Sequence, residues 1–524
     1  MQNKVFAYDT TLRDGAQAQG ISFSVEDKLK IVRKLDELGI AYIEAGNPGS
    51  NQKDLEFFRR LGELKLRHAR IIAFGSTCKV GADPADDNQL ASLLSADTPA
   101  VAIFGKTWDY QATEILRTTL AENLRMIRAT IAYLKAQGKE VVFDAEHFYD
   151  GYKGNPDYAM QALAAAVEGG ADSLALCDTN GGCFPHEIFA ITRKVVERFP
   201  DTAVGIHCHN DCELAVANSV SAVQAGARQV QGTINGIGER CGNANLCAII
   251  PNLQLKLGFD LIPPANMLNL TPVARFVSET ANVEHNDKAA YVGADAFTHK
   301  GGMHIDAVNK NPVSYEHVPP ESVGNERRIL MSEVAGRATI LGKIKAVDAS
   351  LTKDSPETKA IIERLKALEH EGYQFESAES SFELLVRKML GKFKPSFELK
   401  AFKVIVNEPS IDGINSSAML KIGVDGEDEI TAAEGDGPVN ALDRALRRAL
   451  EHFYPEISEI RLTDYKVRVL DSSLASAAKV RVLIETADRE SSWTTIGVSG
   501  DIIDASWRAL VDAVEYKLAK TRLD

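Results

Sequence analysis

Residues 4–15 read KVFAYDTTLRDG. Residues 5–8 form a short apolar run of strand type, and the chain then turns through Thr10, Thr11, Arg13 and Asp14. A doubly wound nucleotide-binding sheet wants a G-x-G-x-x-G turn at this point. The polar TTLRDG is a different kind of strand end, one that presents charge and a hydroxyl where the strand stops. Working outward, further strand-like runs appear at 42–45, 71–74, 100–104, 141–144, 173–177, 204–207 and 229–231. Segments with helical apolar spacing separate them. Ser24 is placed as an N-cap with Glu26 and Asp27 in the first turn, Leu29, Val32 and Leu35 share one face, and Gly39 closes that helix. Asn155-Pro156 marks another helix start. Eight β-then-α units in about 260 residues predict a parallel sheet closed into a (β/α)8 TIM barrel, an α/β fold, over residues 1–270.

Pro263-Pro264 ends the repeat. Residues 271–395 are expected to form helical linker subdomains, with Gly-rich turns such as His299-Lys300-Gly301-Gly302. Beyond Pro395, strands are expected at 402–406, 417–422, 460–462, 465–469, 480–485 and 494–498, with helices at 439–453 and 503–520. This order predicts a C-terminal α+β domain, 396–524, with a duplicated plan.

The 524 residues, 45% hydrophobic and 25% charged, describe a chain that buries ordinary cores. A prior of roughly 150 residues per domain gives three or four units. Lys+Arg 59 against Asp+Glu 73 leaves a net charge of −14, which lacks the basic footprint of a nucleic-acid or anionic-membrane binder. No signal-peptide pattern and no long apolar run is visible. The seven cysteines form no C-x-x-C pair and are expected to be free thiols of a cytoplasmic protein.

Barrel chemistry sits at the C-terminal ends of the strands. Six of those ends are polar: Arg13-Asp14, Glu44, Asp144 with Glu146-His147, Asp178-Thr179-Asn180, His207-Cys208-His209-Asn210-Asp211, and the loop 235–243 that carries Asn243. His207-x-His209 is the most specific signal. Residues i and i+2 of a strand face the same way, so both imidazoles can meet one ion. Asp14 and Asn243 would add oxygen ligands, a donor set suited to an open divalent site. Arg13 is a candidate to stabilise a developing oxyanion. Glu146 is a candidate base or its orienter, and Thr179 offers a hydroxyl for a substrate carboxylate. Glu44 is a weaker candidate. His304, beside two glycines, is a candidate group delivered from the linker.

DTTLRDGAQ, the H-x-H-N-D run and NGIGERCGNA resemble the signatures of the DRE-TIM metallolyases. YVGADAFTHKGGMHIDAV and PPESVGNERRILMSEVAGRA carry a closer likeness to the citramalate synthases of the α-isopropylmalate synthase branch. The resemblance spans the whole chain, including a LeuA-type regulatory dimer domain. It implies a divalent ion (Mg, Mn or Zn) on Asp14, His207, His209 and Asn243. It further implies Arg13 on the keto oxygen, Glu146 and Thr179 at the substrate, and His304 with Tyr315 as catalytic groups. The reaction implied is condensation of acetyl-CoA with pyruvate in isoleucine biosynthesis, by a homodimer whose amino-acid effector is isoleucine. RDGAQ departs from the RDGEQ common in 2-isopropylmalate synthases, the first alternative. A metal-dependent lyase or aldolase, the second, would lack the C-terminal domain. The loops at 434–438 and 471–478 are candidate effector contacts.

Overall fold

The computed structural model describes residues 3–49, 52–329, 341, 344–345, 347–352, 354–375, 378–411, 414–470, 478–488 and 491–521. Two compact units emerge. One holds the chain up to residue 298 together with 316–328, and the other holds 299–315 together with residues from 329 onward.

The first unit is built on a closed barrel of eight parallel strands in sequence order. They are β1 (Phe6–Asp9), β2 (Tyr42–Gly46), β3 (Arg70–Ser76), β4 (Ala100–Lys106), β5 (Glu140–Glu146), β6 (Ser173–Asp178), β7 (Ala203–Cys208) and β8 (Gln229–Gly232). All eight coincide with the runs read from the sequence, with ends shifted by a few residues. Helices such as Val25–Leu38, Pro156–Gly169 and Pro185–Arg198 return the chain between strands. The expected caps are present. Ser24 and Asp27 form a capping box, Asn155 accepts from the Tyr158 amide, and Gly39 closes its helix at φ +95°.

Two apolar layers hold this barrel. Tyr8, Ile72, Ala100, Ala102, Val142 and Ala175 form a small inner cluster. A larger cluster lies between strands and helices, and it includes Val273, Tyr291, Phe297, Val318 and Val323 from beyond the eighth unit. Residues 271–298 and 316–328 therefore pack on the barrel wall. Thr271 Oγ1 donates to the Val323 carbonyl at 2.8 Å, and Arg327 grips the buried Glu316 with two bonds of 2.6 Å.

The second unit contains two three-stranded antiparallel sheets, each followed by a helix. Glu398–Ile411, Ile414–Val424 and Glu427–Gly435 precede Pro438–Glu451, and Arg461–Val469, Val480–Ala487 and Ser492–Ser499 precede Ile502–Thr521. The duplication is real, with two corrections to its strands. The expected pieces 460–462 and 465–469 are one strand, interrupted by a register shift between Leu462 and Asp464. Glu427–Gly435, EDEITAAEG, was not expected as a strand. Its acids, alanines and glycine have low strand propensity, and pairing with Ile414–Val424 overrides that local preference. The linker helices Pro356–Glu371 and Glu379–Met389 belong to this unit. Phe375, Phe382 and Leu365 join Ile496 and Val498 of the second sheet in one cluster. Residues 471–477 of the candidate effector loop lie outside the described residues.

One carboxylate ties the first helix to the barrel. Asp36 accepts from the amides of Arg67, His68 and Ala69 at 2.8–3.0 Å. Burial opposes its charge, and the three amides overcome that and hold its pKa below the usual carboxylate value. Asp36→Ala should cost about 2 kcal/mol. Hydrogen exchange on peptides covering residues 25–39 and 64–72 should show a roughly 30-fold loss of protection. A depressed folded pKa makes this contribution present above the unfolded value of about 4 and lost as pH falls through the folded one. The difference between wild type and variant should therefore shrink in acid.

Candidate metal centre and active site

Asp14 lies just past β1, and His207 and His209 flank Cys208 at the end of β7. All three are buried, and their ligating atoms lie within 4.8 Å of one another. Asp14 Oδ2 is 3.2 Å from His207 Nε2 and 3.9 Å from His209 Nε2. The two imidazole centroids are 5.2 Å apart. Asn243 is brought to the same place by backbone pairing, since His209 and Asn243 form an isolated antiparallel bridge. Asn210 N donates to the Gly242 carbonyl, and Ala244 N to the Cys208 carbonyl, each at 2.9 Å.

Both side-chain polar atoms of Asn243 are buried and have no hydrogen-bond partner, as is His209 Nδ1. Buried polar atoms are rarely left unsatisfied. A divalent ion accounts for the Asn243 oxygen, so the four residues fit the group that the sequence placed among them. The mixed nitrogen and oxygen donor set matches borderline divalent cations.

Charge compensation surrounds the cluster. Arg13 Nη1 is 3.6 Å from Asp14 Oδ1, and its Nε donates to Glu44, which is fully buried. Glu44 also accepts from Tyr8 Oη at 2.5 Å. The guanidinium stacks over Phe74, with Cζ 3.9 Å from the ring centroid. Burial pushes the Asp14 pKa up, and Arg13 together with His207 more than reverses this and holds it well below the usual range. Burial likewise works against a charged His207, yet its bond to Asp14 raises its pKa. His209 is pushed down to about 4 by burial and by the neighbouring His207. Asp144 is raised, by burial first and by Glu44 second. At 0% exposure, Asp9 is pushed up to about 7 by burial, although Thr11 donates to it from both its amide and its hydroxyl.

Glu146 ends β5 and is paired with Lys106, which ends β4. Thr179 Oγ1 accepts from the His147 amide at 2.9 Å, which leaves the hydroxyl proton free to donate elsewhere. Arg240 forms two bonds to Asp211, at 2.8 and 2.9 Å, and a third to the Thr179 carbonyl at 2.7 Å. It thereby ties together the loops after β6, β7 and β8. His304 and Tyr315 belong to the second unit, where both are exposed and their rings stack with centroids 4.1 Å apart.

Arg13, Asp14, Glu44, His207, His209 and Asn243 are thus brought together, and Glu146 and Thr179 stand at neighbouring strand ends. Sequence reasoning missed Lys106, Tyr8 and Gln231. Lys106 and Gln231 each end a barrel run and could have been found by asking which side chains share parity with the named ones. Tyr8 reads as core from its apolar neighbours.

Gly238 gives the Asn243 carboxamide its room. A Cβ there would lie 2.1 Å from Asn243 Nδ2. Gly238→Ala should displace that carboxamide and weaken divalent-ion binding roughly 10- to 100-fold. Competition with a chromophoric chelator measures this, and far-UV circular dichroism should stay unchanged.

Comparisons with known proteins identify the family of this chain. The HMGL-like family model matches residues 4–277. A model described as homocitrate synthase post-HMGL domain-like matches 291–373, and the LeuA allosteric (dimerisation) domain matches 376–518. The (R)-citramalate synthase of Aquifex aeolicus is 54% identical over 521 residues, 99% of each chain. That of Geobacter sulfurreducens is 52% identical, over 98% of this chain and 97% of its own. A 2-isopropylmalate synthase of Methanocaldococcus jannaschii is 32% identical, over 99% of this chain and 95% of its own. The chain belongs to the HMGL-like family and, within it, to the (R)-citramalate synthases.

Proposed function

We propose that this chain condenses acetyl-CoA with pyruvate and hydrolyses the thioester, giving citramalate and CoA. The observation that carries the reading is the buried Asp14–His207–His209 cluster with its unpartnered Asn243 carboxamide, in a chain whose full-length relatives at 43–54% identity are named (R)-citramalate synthase.

Asp14, His207, His209 and Asn243 would hold the ion, of Mg, Mn or Zn type. When bound, such an ion supplies Lewis-acid polarisation of the substrate ketone and stabilises the charge that develops on it. Arg13 donates a hydrogen bond to that keto oxygen, and its own orientation is held by Glu44 and Phe74. Thr179 gives its free hydroxyl proton to the pyruvate carboxylate. Glu146, His304 and Tyr315 are our candidates for the base that removes a proton from the acetyl methyl. Its carbanion equivalent attacks the ketone carbon, and water then cleaves the thioester. Lys106 pairs with Glu146 and compensates its charge.

The matched LeuA domain supports a homodimer with amino-acid feedback, and isoleucine is the effector in this reading. The segment 434–438, which runs from the end of a strand through a two-residue turn into the helix Pro438–Glu451, is our candidate for one effector contact. Seven free cysteines support a reducing, cytoplasmic setting. Among the described residues no helix is long and apolar enough to cross a membrane.

Release of free CoA thiol from acetyl-CoA should require pyruvate and a divalent ion, and isoleucine should suppress it. Asp14→Ala and His207→Ala should each lower turnover at least 1,000-fold, the scale on which lost electrostatic stabilisation acts, with the far-UV spectrum retained. Full activity in thoroughly metal-stripped protein would sink the metal assignment. A kcat/KM greater for 2-oxoisovalerate than for pyruvate would replace the citramalate reading with 2-isopropylmalate synthesis.

A further inference from the structure

Gln231 is wholly buried on β8, in register with His207 of β7 on one side and Tyr8 of β1 on the other. Its carboxamide crosses the barrel interior. Gln231 Nε2 donates to Asp144 Oδ1 at 3.0 Å, although Asp144 stands on β5 with β6 and β7 intervening in the sheet. The oxygen at the other end, Oε1, lies 2.9 Å from His207 Nδ1.

The two ends of a carboxamide are not interchangeable, because the nitrogen only donates and the oxygen only accepts. Asp144, by accepting from Nε2, fixes which end faces His207. An acceptor facing Nδ1 requires the hydrogen to be on Nδ1. The remaining ring nitrogen, Nε2, is the one 3.2 Å from Asp14, on the side of the ion cluster. We propose that Gln231, oriented by Asp144, is a positioning residue that holds His207 in the Nδ1–H form and so presents the Nε2 lone pair to a divalent cation. The proposal rests on the metal assignment made above.

The neighbouring histidine shows that this arrangement is specific. His209 Nδ1 has no hydrogen-bond partner, and the residue is fixed through its backbone bridge to Asn243. His207 has no such bridge to Asn243, and its ring is fixed from behind by the carboxamide. An acceptor behind a ligating imidazole sets its tautomer, angle and basicity, and removing such a group weakens metal binding 10- to 100-fold. Other histidine ligands are commonly backed by carboxylates. Here five carboxylates, Asp9, Asp14, Glu44, Asp144 and Asp178, are already buried in the barrel, and a neutral carboxamide adds no further negative charge.

The test uses the full-length protein stripped of metal and titrated with Mn2+, with free Mn2+ read by electron paramagnetic resonance. Gln231→Met keeps the volume and removes both hydrogen bonds, and should weaken Mn2+ binding 10- to 100-fold. Gln231→Glu restores an acceptor to His207 Nδ1, while a proton shared between its other oxygen and Asp144 replaces the lost donor and leaves the added charge neutralised, and it should recover most of the affinity. Asp144→Leu, which removes the acceptor at similar size, should weaken binding in the wild type and add nothing in the Gln231→Met background, as expected for residues acting in series. Wild-type affinity in Gln231→Met, or equal losses in the Met and Glu variants, overturns the proposal. Should Gln231→Met lose its native far-UV spectrum, Asp144→Leu alone decides, and unchanged binding there overturns it. A wild-type chain that binds no Mn2+ refutes the metal assignment itself, an outcome distinct from loss of the Gln231 role alone.

Discussion

Asp14 is a carboxylate kept charged where water is excluded. Removing a charge from water costs several kcal/mol unless partners replace the solvent, and Arg13 and His207 replace it here. The rest of the site follows from that compensation. Arg13, itself almost buried, requires a counter-charge and finds Glu44. Glu44 has no access to solvent and requires a donor, supplied by Tyr8 from the adjacent strand. Beneath Tyr8 the barrel becomes apolar, with Ile72, Val142 and Ala175. The polar site and the small apolar cluster inside the barrel thus meet at Tyr8.

The barrel was legible because its signals are local and repeated. Each strand is a short apolar run, the helices at 25–38 and 156–169 carry side-chain caps, and the turn after β1 excludes the rival fold. RDG and H-x-H were legible for a related reason, since a two-residue period on a strand places both imidazoles on one face. The place of Gln231 on the inner wall was legible from strand parity, but its role was not. Its role depends on a partner 87 residues away across the barrel interior, and no local pattern encodes that contact. Lys106 was passed over because a lysine at a strand end ordinarily points to solvent, whereas here it meets Glu146. His304 was legible only as an unusual residue near glycines, and its stacking on Tyr315 is a tertiary fact.

In the second unit the errors had the same origin. Glu427–Gly435 has the composition of a loop and becomes a strand because a neighbouring strand offers a complete row of partners. The strand Arg461–Val469 read as two because its irregularity at Thr463 breaks the alternation of side chains. Both are cases in which pairing across strands outweighs what a short stretch prefers by itself.

The duplicated plan of that unit leaves its two halves in different surroundings. In the second sheet Val482 and Ile484 meet the helix layer, while Leu483, Ile496 and Val498 on the opposite face meet Phe375, Phe382 and Leu365. The first sheet buries Leu420 and Ile422 against Pro438–Glu451, while Ile405, Met419 and Ile430 on its other face are 45%, 52% and 61% exposed. Equivalent positions in the two halves therefore accept substitution under different rules. A polar residue at 419 removes little packing within the chain, whereas one at 483, the matching place in the second sheet, would disturb the cluster around Phe375 and Phe382. Two copies that began with one pattern of alternation are free to drift apart on one face while remaining alike on the other, and that accounts for how faintly the repeat shows in the amino-acid sequence.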